Sequence, residues 1–170
     1  MMRMCRFFAA ALLATTAGAA GAADLTLNVE IPNLPVAEYH RPYVAIWVED
    51  GTQAIAAHLA LWYQVRGDHT KWLPDLRQWW RRGGRDVKVP VDGLTGATRP
   101  AGQHILKFDA AAEPLSRLPP GKYSLVVEAV REVGGREAVR IPFEWPIKAA
   151  KREAAQGSTE LGAVALTLNP

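Results

Sequence analysis

The chain has 170 residues, 49% of them hydrophobic, with a formal charge of +3 and one cysteine. That length suits one ordinary domain with a core of its own. The lone Cys5 rules out an internal disulfide or a thiolate metal cluster, and so small a charge gives no ground for a nucleic-acid partner.

Arg3 and Arg6 precede a small-residue apolar run from Phe7 to Ala20, which ends in Gly21-Ala22-Ala23. A basic start, a short apolar stretch and small residues before a cleavage point make residues 1–23 a secretory signal peptide, too short and Ala-rich for a spanning helix. Cleavage after Ala23 removes both arginines and Cys5, leaving a charge of +1. Cys5 lies before the apolar run, where a lipoprotein signal does not place it. No later segment is long and apolar enough to cross a membrane, so residues 24–170 are expected in the periplasm as a single domain.

The remainder reads as short strands punctuated by Pro and Gly. Leu25, Leu27, Val29 and Ile31 alternate with polar residues, as in a half-buried strand. Tyr43 to Val48, the Asp50-Gly51 turn and His58 to Val65 form a hairpin pattern. From Trp72 to Arg82 the period changes. Pro74 suits a first helical turn, Asp75 a helix N-terminus and Gly83 a stop, with Leu76, Trp79 and Trp80 on one face and Arg77 and Arg81 on another. One short amphipathic helix is therefore expected there. Gln103 to Phe108, Tyr123 to Arg131 and Glu137 to Trp145 supply three more strands, the last two joined through Gly134-Gly135. Lys148 to Ser158 is charged and unpatterned, read as a solvated loop or frayed turn, and Leu161 to Leu168 closes the chain as a strand. Strands of this length and spacing predict an all-β fold, an antiparallel Ig-like β-sandwich. Trp47, Trp62 and Trp145 are expected in its core, with Trp79 and Trp80 pinning the helix to a sheet.

The stretch from Arg99 to Asp109, followed by Leu118-Pro119-Pro120-Gly121-Lys122-Tyr123-Ser124-Leu125, resembles the paired strands of FlgD-like immunoglobulin-type domains. Ala110 to Ala112 replaces their usual Gly after the Asp, and the resemblance speaks to fold alone.

Chemistry concentrates in Asp92-Gly93-Leu94-Thr95-Gly96-Ala97-Thr98. Five fixed positions at ordinary residue frequencies give a chance match of about one in a million per starting point. The segment resembles the signal read by flavin transferases of the ApbE type, which esterify the last Thr with the phosphate of FMN. The resemblance implies covalent FMN on Thr98, with Asp92, Thr95, Gly96 and Ala97 as the recognition segment. Gly96 and Ala97 present little bulk, Arg99 suits phosphate oxygens, and Pro90 and Pro100 keep the segment out of a central strand. The motif also resembles the covalent-FMN site of the sodium-pumping quinone reductase, where it sits in a differently folded domain.

Arg41-Pro42-Tyr43-Val44-Ala45-Ile46-Trp47-Val48-Glu49-Asp50, Trp72-Leu73-Pro74-Asp75-Leu76 and Val91 to Pro100 together resemble a bacterial family of predicted periplasmic proteins (domain of unknown function number 2271). Some of its members look like flavinylation substrates and occur with membrane reductases of the PepSY type. The implied function is periplasmic electron transfer, as a redox carrier rather than a stand-alone enzyme. The alternative is a cofactor-free sandwich serving as a binding or structural module.

Other constellations are weaker. Trp72, Trp79 or Trp80 offers a face for a flavin ring, though core packing is the commoner role. Arg77, Arg81, Arg82 and Arg85 form a basic group suited to an anionic partner. His40, His58, His69 and His104 show no metal spacing, and no Ser lies in a nucleophile elbow.

Overall fold

The computed structural model describes residues 23–170; residues 1–22, which carry the signal-peptide reading, lie outside the described residues. In chain order the strands are β1 (Asp24–Ile31), β2 (Tyr43–Glu49), β3 (Ile55–Tyr63), β4 (Thr95–Ala97), β5 (Gly102–Asp109), β6 (Gly121–Val130), β7 (Arg136–Trp145), β8 (Lys151–Gln156) and β9 (Ala163–Asn169). They build two sheets, β5-β1-β9-β8 and β4-β3-β2-β6-β7. All pairings are antiparallel except β3–β4, which is parallel. The fold is an all-β sandwich with one short inserted helix.

Alternation fixes the inner faces. Leu25, Leu27, Val29 and Ile31 turn every second side chain of β1 inward, where they meet Val44, Ile46 and Val48 of β2, Leu125 and Val127 of β6, and Leu166 of β9. Each such side chain, fully buried, contributes about 1.5–3 kcal/mol. Trp62 and Trp145 join this core as their strand positions predict. Trp47 does not. Its neighbours Ile46 and Val48 point inward, so the pleat sends Trp47 to the opposite face of the sheet.

That outer face has a core of its own. Ala45 and Trp47 of β2, Leu61 and Tyr63 of β3 and Val126 of β6 are covered by Leu73, Leu76 and Trp79 from the β3–β4 connection. This third layer explains why β2 and β3 are apolar on both faces rather than alternating. The layer is not the single helix expected over 72–82. A 3-10 turn (Thr70–Asp75) and helix α1 (Arg77–Arg82) are separated by Leu76, whose ψ of 69° is not helical. Nor does Asp75 serve the helix start. The fully buried carboxylate of Glu128 on β6 accepts the N–H groups of Gln78 (3.1 Å) and Trp79 (2.9 Å), supplying from the sheet the cap that the local sequence lacks. Glu49, also buried, pairs with Arg82 of α1 and Arg140 of β7. Gly83, at φ +146°, then ends the helix as expected.

Burial raises the Glu128 pKa above its usual value, against the opposing pull of the Trp79 and Gln78 amides and of Arg136 and Arg140. A raised carboxylate pKa means that the folded state holds the proton more tightly than the unfolded chain. This contribution is therefore present at low pH and lost as pH rises from 4.5 through the folded pKa. Glu128→Ala leaves both amides without an acceptor, at about 1–3 kcal/mol each. Urea unfolding at neutral pH is the measurement, and an unchanged midpoint would remove Glu128 as the anchor of the third layer.

Residues 148–158 are not a loop. Lys151 to Gln156 form β8, paired along its length with β9, with only Glu153 and Ala155 half-covered on its inner side. A charged edge strand carries little apolar alternation for the sequence to show, and its charges discourage edge-to-edge pairing. The turn before β9 is held by Glu137 of β7, whose carboxylate accepts the N–H groups of Ser158 (2.6 Å), Thr159 (3.0 Å), Glu160 (2.9 Å) and Leu161 (2.9 Å). Partial burial pushes the Glu137 pKa up, but the hydrogen bonds from Thr159, Leu161 and Ser158 outweigh it and bring it from 4.5 down to about 2. A depressed carboxylate pKa gives stability present above 4.5 and lost as pH falls toward 2. Glu137→Gln is expected to flatten that acid limb in a pH series of thermal melts and to lower Tm at neutral pH.

Candidate functional site

The Asp92–Thr98 segment is a turn leading into the edge strand β4. The Val91 carbonyl accepts from Leu94 (3.2 Å) and Thr95 (2.9 Å), and Gly93 supplies the left-handed residue at φ +75°. The Thr95 hydroxyl donates to the Val91 carbonyl (2.9 Å) and accepts from the Val91 N–H (3.1 Å), which locks it in place. Asp92 is exposed and makes no hydrogen bond to the turn. The loop is thus shaped by Thr95 and Gly93, not by the Asp92 carboxylate.

Beyond the turn, Thr95, Gly96 and Ala97 pair in parallel with Leu61, Trp62 and Tyr63, and the Thr98 N–H reaches the Tyr63 carbonyl (3.2 Å). The segment therefore ends in a three-residue edge strand. Pro90 and Pro100 confine it to the sheet edge. Among the described residues the Thr98 hydroxyl has no hydrogen-bond partner, so of the two threonines only Thr98 keeps a free oxygen. A Cβ added at Gly96 would meet only Trp62 Cδ1, at 3.7 Å, an ordinary contact. Glycine inside a strand is unfavourable, and packing within this chain does not demand it here. Arg99 places its guanidinium 5.4 Å from the ring centroid of the buried Trp62, a cation–π contact.

Thr98 lines a cleft of about 700 Å³ at the end of the five-stranded sheet. Its walls come from four segments: Tyr39 to Tyr43, Gln64 with Trp72, Asp75 and Arg77, Thr98, and the β6–β7 hairpin from Val130 to Arg136. The volume falls in the range of cofactor and ligand pockets. Aromatic and cationic groups predominate on its surface. Trp72 is 46% exposed, Tyr39 is 36% exposed, and Tyr43 donates its hydroxyl to the His69 carbonyl at 3.3 Å. Burial raises the Tyr43 pKa, partly offset by the Gln64 backbone, which keeps the phenol a donor at neutral pH. Arg41, Arg77, Arg131 and Arg136 supply positive charge against Asp75 and Glu132.

Of the three tryptophans with a possible claim on a ring ligand, only Trp72 belongs to this cleft. Trp79 is buried beneath α1, its indole N–H donating to His58 Nδ1 at 3.1 Å, and Trp80 packs against the outer core. Burial lowers the His58 pKa, which suits its role as that bond's neutral acceptor. Tyr39, Tyr43, Gln64 and Arg131 were not among the residues expected at a site. Arg131 carried one usable signal: it precedes the Gly134-Gly135 hairpin, and a Cβ at Gly134 would stand 2.6 Å from its Cζ. Among the described residues no group of three or more His, Cys, Asp or Glu side chains is placed to hold a metal ion, and no helix is long and apolar enough to cross a membrane.

A family model described as predicted periplasmic protein (DUF2271) matches residues 24–163. The chain belongs to the DUF2271 family. No curated protein and no solved structure matches it. The matched span holds β1 through β8, the outer layer, the Asp92–Thr98 segment and every residue lining the cleft. The cleft is thus part of the DUF2271 domain, and the family's periplasmic description agrees with the export signal read in residues 1–23.

Proposed function

We propose that this DUF2271 protein is a periplasmic electron carrier with FMN joined to Thr98 through a phosphodiester. One observation carries the reading. The motif's final Thr, with its hydroxyl unpartnered among the described residues, lines a 700 Å³ cleft walled by aromatic rings and arginines. Gly96 supports it, because a glycine that the fold does not need has its reason in an outside partner, here a flavin transferase of the ApbE type. In the transfer, Thr98 Oγ1 bonds to the FMN phosphorus of FAD. The pyrophosphate bond breaks, AMP leaves, and the hydroxyl proton passes to a base on the transferase.

When bound, FMN supplies reversible two-electron chemistry. The chain's own residues do the rest: Thr98 tethers, Trp72 offers a face for stacking, and Arg77 and Arg136 suit the phosphate. Arg99, held over Trp62, takes no part in the cleft. The reading is tested by the mass of protein produced with a flavin transferase, which should rise by one FMN less water.

The donor in this reading is a membrane reductase, of the PepSY type or another. Arg77, which lines the cleft, and Arg81 and Arg85 are exposed on the outer layer and fit an acidic docking face on such a donor. Reduction of the flavinylated protein by its donor is expected to slow as ionic strength rises, and to slow severalfold in Arg81→Glu at low salt. Stopped-flow reduction is the measurement; a rate indifferent to salt and to Arg81→Glu would place docking elsewhere.

A further inference from the structure

The β6–β7 hairpin carries Val133 at its tip, 74% exposed and at φ +53°. The Gly134 N–H donates to the Arg131 carbonyl at 3.0 Å, closing a four-residue turn with Val133 at its third position. A positive φ there suits glycine or asparagine, and a β-branched residue is strained by it. The two glycines that follow serve another purpose. A Cβ at Gly134 would stand 2.6 Å from Arg131 Cζ, and one at Gly135 2.9 Å from Glu160 Oε1, so both make room for the buried Arg131–Glu160 pair at the hairpin base. The base is fixed, and the tip holds out a side chain that is strained, apolar and in water. Strain of this kind gathers where a residue meets a partner.

Val133 does not stand alone. Tyr39 and Trp72, also exposed, line the same cleft. The charge around them is mainly positive. Arg41 and Arg77 are exposed, line the cleft and pair with no carboxylate among the described residues. Lys71 Nζ lies 5.5 Å from the Trp72 ring centroid. Of the two acids lining the cleft, Glu132 faces His40 at 3.6 Å, which leaves Asp75. Exposed Trp, Tyr and Arg side chains around an apolar centre have the composition of a protein-binding hot spot. We propose that the mouth of this cleft docks a protein partner through an acidic segment with an aromatic side chain at its centre. That side chain seats on the lip formed by Val133, Tyr39 and Trp72, and the flanking carboxylates meet Arg41 and Arg77. A basic segment would set like charges against each other. The lip is present whether or not Thr98 is modified, so the proposal does not rest on the flavin reading.

The test uses the full chain produced without a flavin transferase. The probe is a peptide of two aspartates, a phenylalanine and two further aspartates, blocked at both ends. Titration followed by NMR should shift the Val133 amide and the Trp72 indole N–H. Replacing the phenylalanine by serine, or the aspartates by lysines, should weaken binding at least about tenfold. Val133→Asn separates a docking role from a structural one. Asparagine accepts the left-handed backbone, so Tm should equal or exceed that of the parent, while peptide affinity falls at least about fivefold. No binding to the parent, no preference among the three peptides, or a Val133→Asn chain that is less stable or binds as tightly as the parent overturns the proposal. Tighter binding to phosphatidylglycerol vesicles than to the peptide would give the lip to a membrane surface. A parent dimer that Val133→Asn abolishes would give it to a second copy. Either result also overturns the proposal, and neither depends on the state of Thr98.

Discussion

Thr98→Ala, produced together with a flavin transferase, is expected to yield colourless protein with no added mass, while the parent chain carries one FMN per molecule. The effect should be complete, because in the proposed linkage the hydroxyl oxygen is the atom that bonds to phosphorus. The same substitution should leave the fold untouched. The Thr98 side chain is half-buried and its hydroxyl makes no hydrogen bond among the described residues. The β4 pairing uses the Thr98 backbone N–H, which alanine keeps. Stability should stay within about 0.5 kcal/mol of the parent, as for surface positions generally. Thr95 behaves oppositely: its hydroxyl closes the turn on Val91, so Thr95→Ala loosens the loop before any chemistry takes place. Intact-mass spectrometry with a thermal melt of each variant separates the two roles. An unmodified parent chain would sink the flavin proposal, and a modified Thr98→Ala would move the attachment elsewhere.

The second large effect is on stability. Trp79→Ala removes a large buried side chain of the outer layer, 1% exposed, from between α1 and the five-stranded sheet. Aromatic-to-alanine changes in such positions cost about 3–5 kcal/mol. The His58 ring also loses the donor to its Nδ1. For a domain of this size the loss corresponds to a Tm drop of about 6–20 °C. Trp79→Phe separates the contributions, keeping most of the volume while stranding His58, at about 1–3 kcal/mol. Denaturant unfolding measures both. A loss below about 1 kcal/mol for Trp79→Ala would mean that the layer adds little to the fold. Because α1 and the preceding turn bring Arg77 and Trp72 to the cleft, Trp79→Ala should also leave any bound ring more accessible to a soluble quencher.

Most strands were legible in the order of residues alone, because their information is local. Leu25, Leu27, Val29 and Ile31 alternate whatever lies opposite, Gly83 ends a helix by its own backbone freedom, and the resemblance of Asp92 to Thr98 to a flavin-transferase signal is carried residue by residue. Where partners lie far apart in the chain, the outcome depended on how the whole molecule packs. Nothing near Gln78 reveals that its helix is capped by Glu128, 50 residues on. Nothing in a charged run from Lys151 to Gln156 shows β9 waiting to pair with it. Trp47 reads as core either way; the register of Ile46 and Val48 chose the layer. The cleft is the strongest case. Its walls come from segments separated by tens of residues, and Thr98, Trp72 and Arg131 meet because the β3–β4 connection folds back over a sheet whose β6–β7 hairpin ends beside it. A linear motif can point to the proposed attachment atom, but only long-range packing can supply the walls around it.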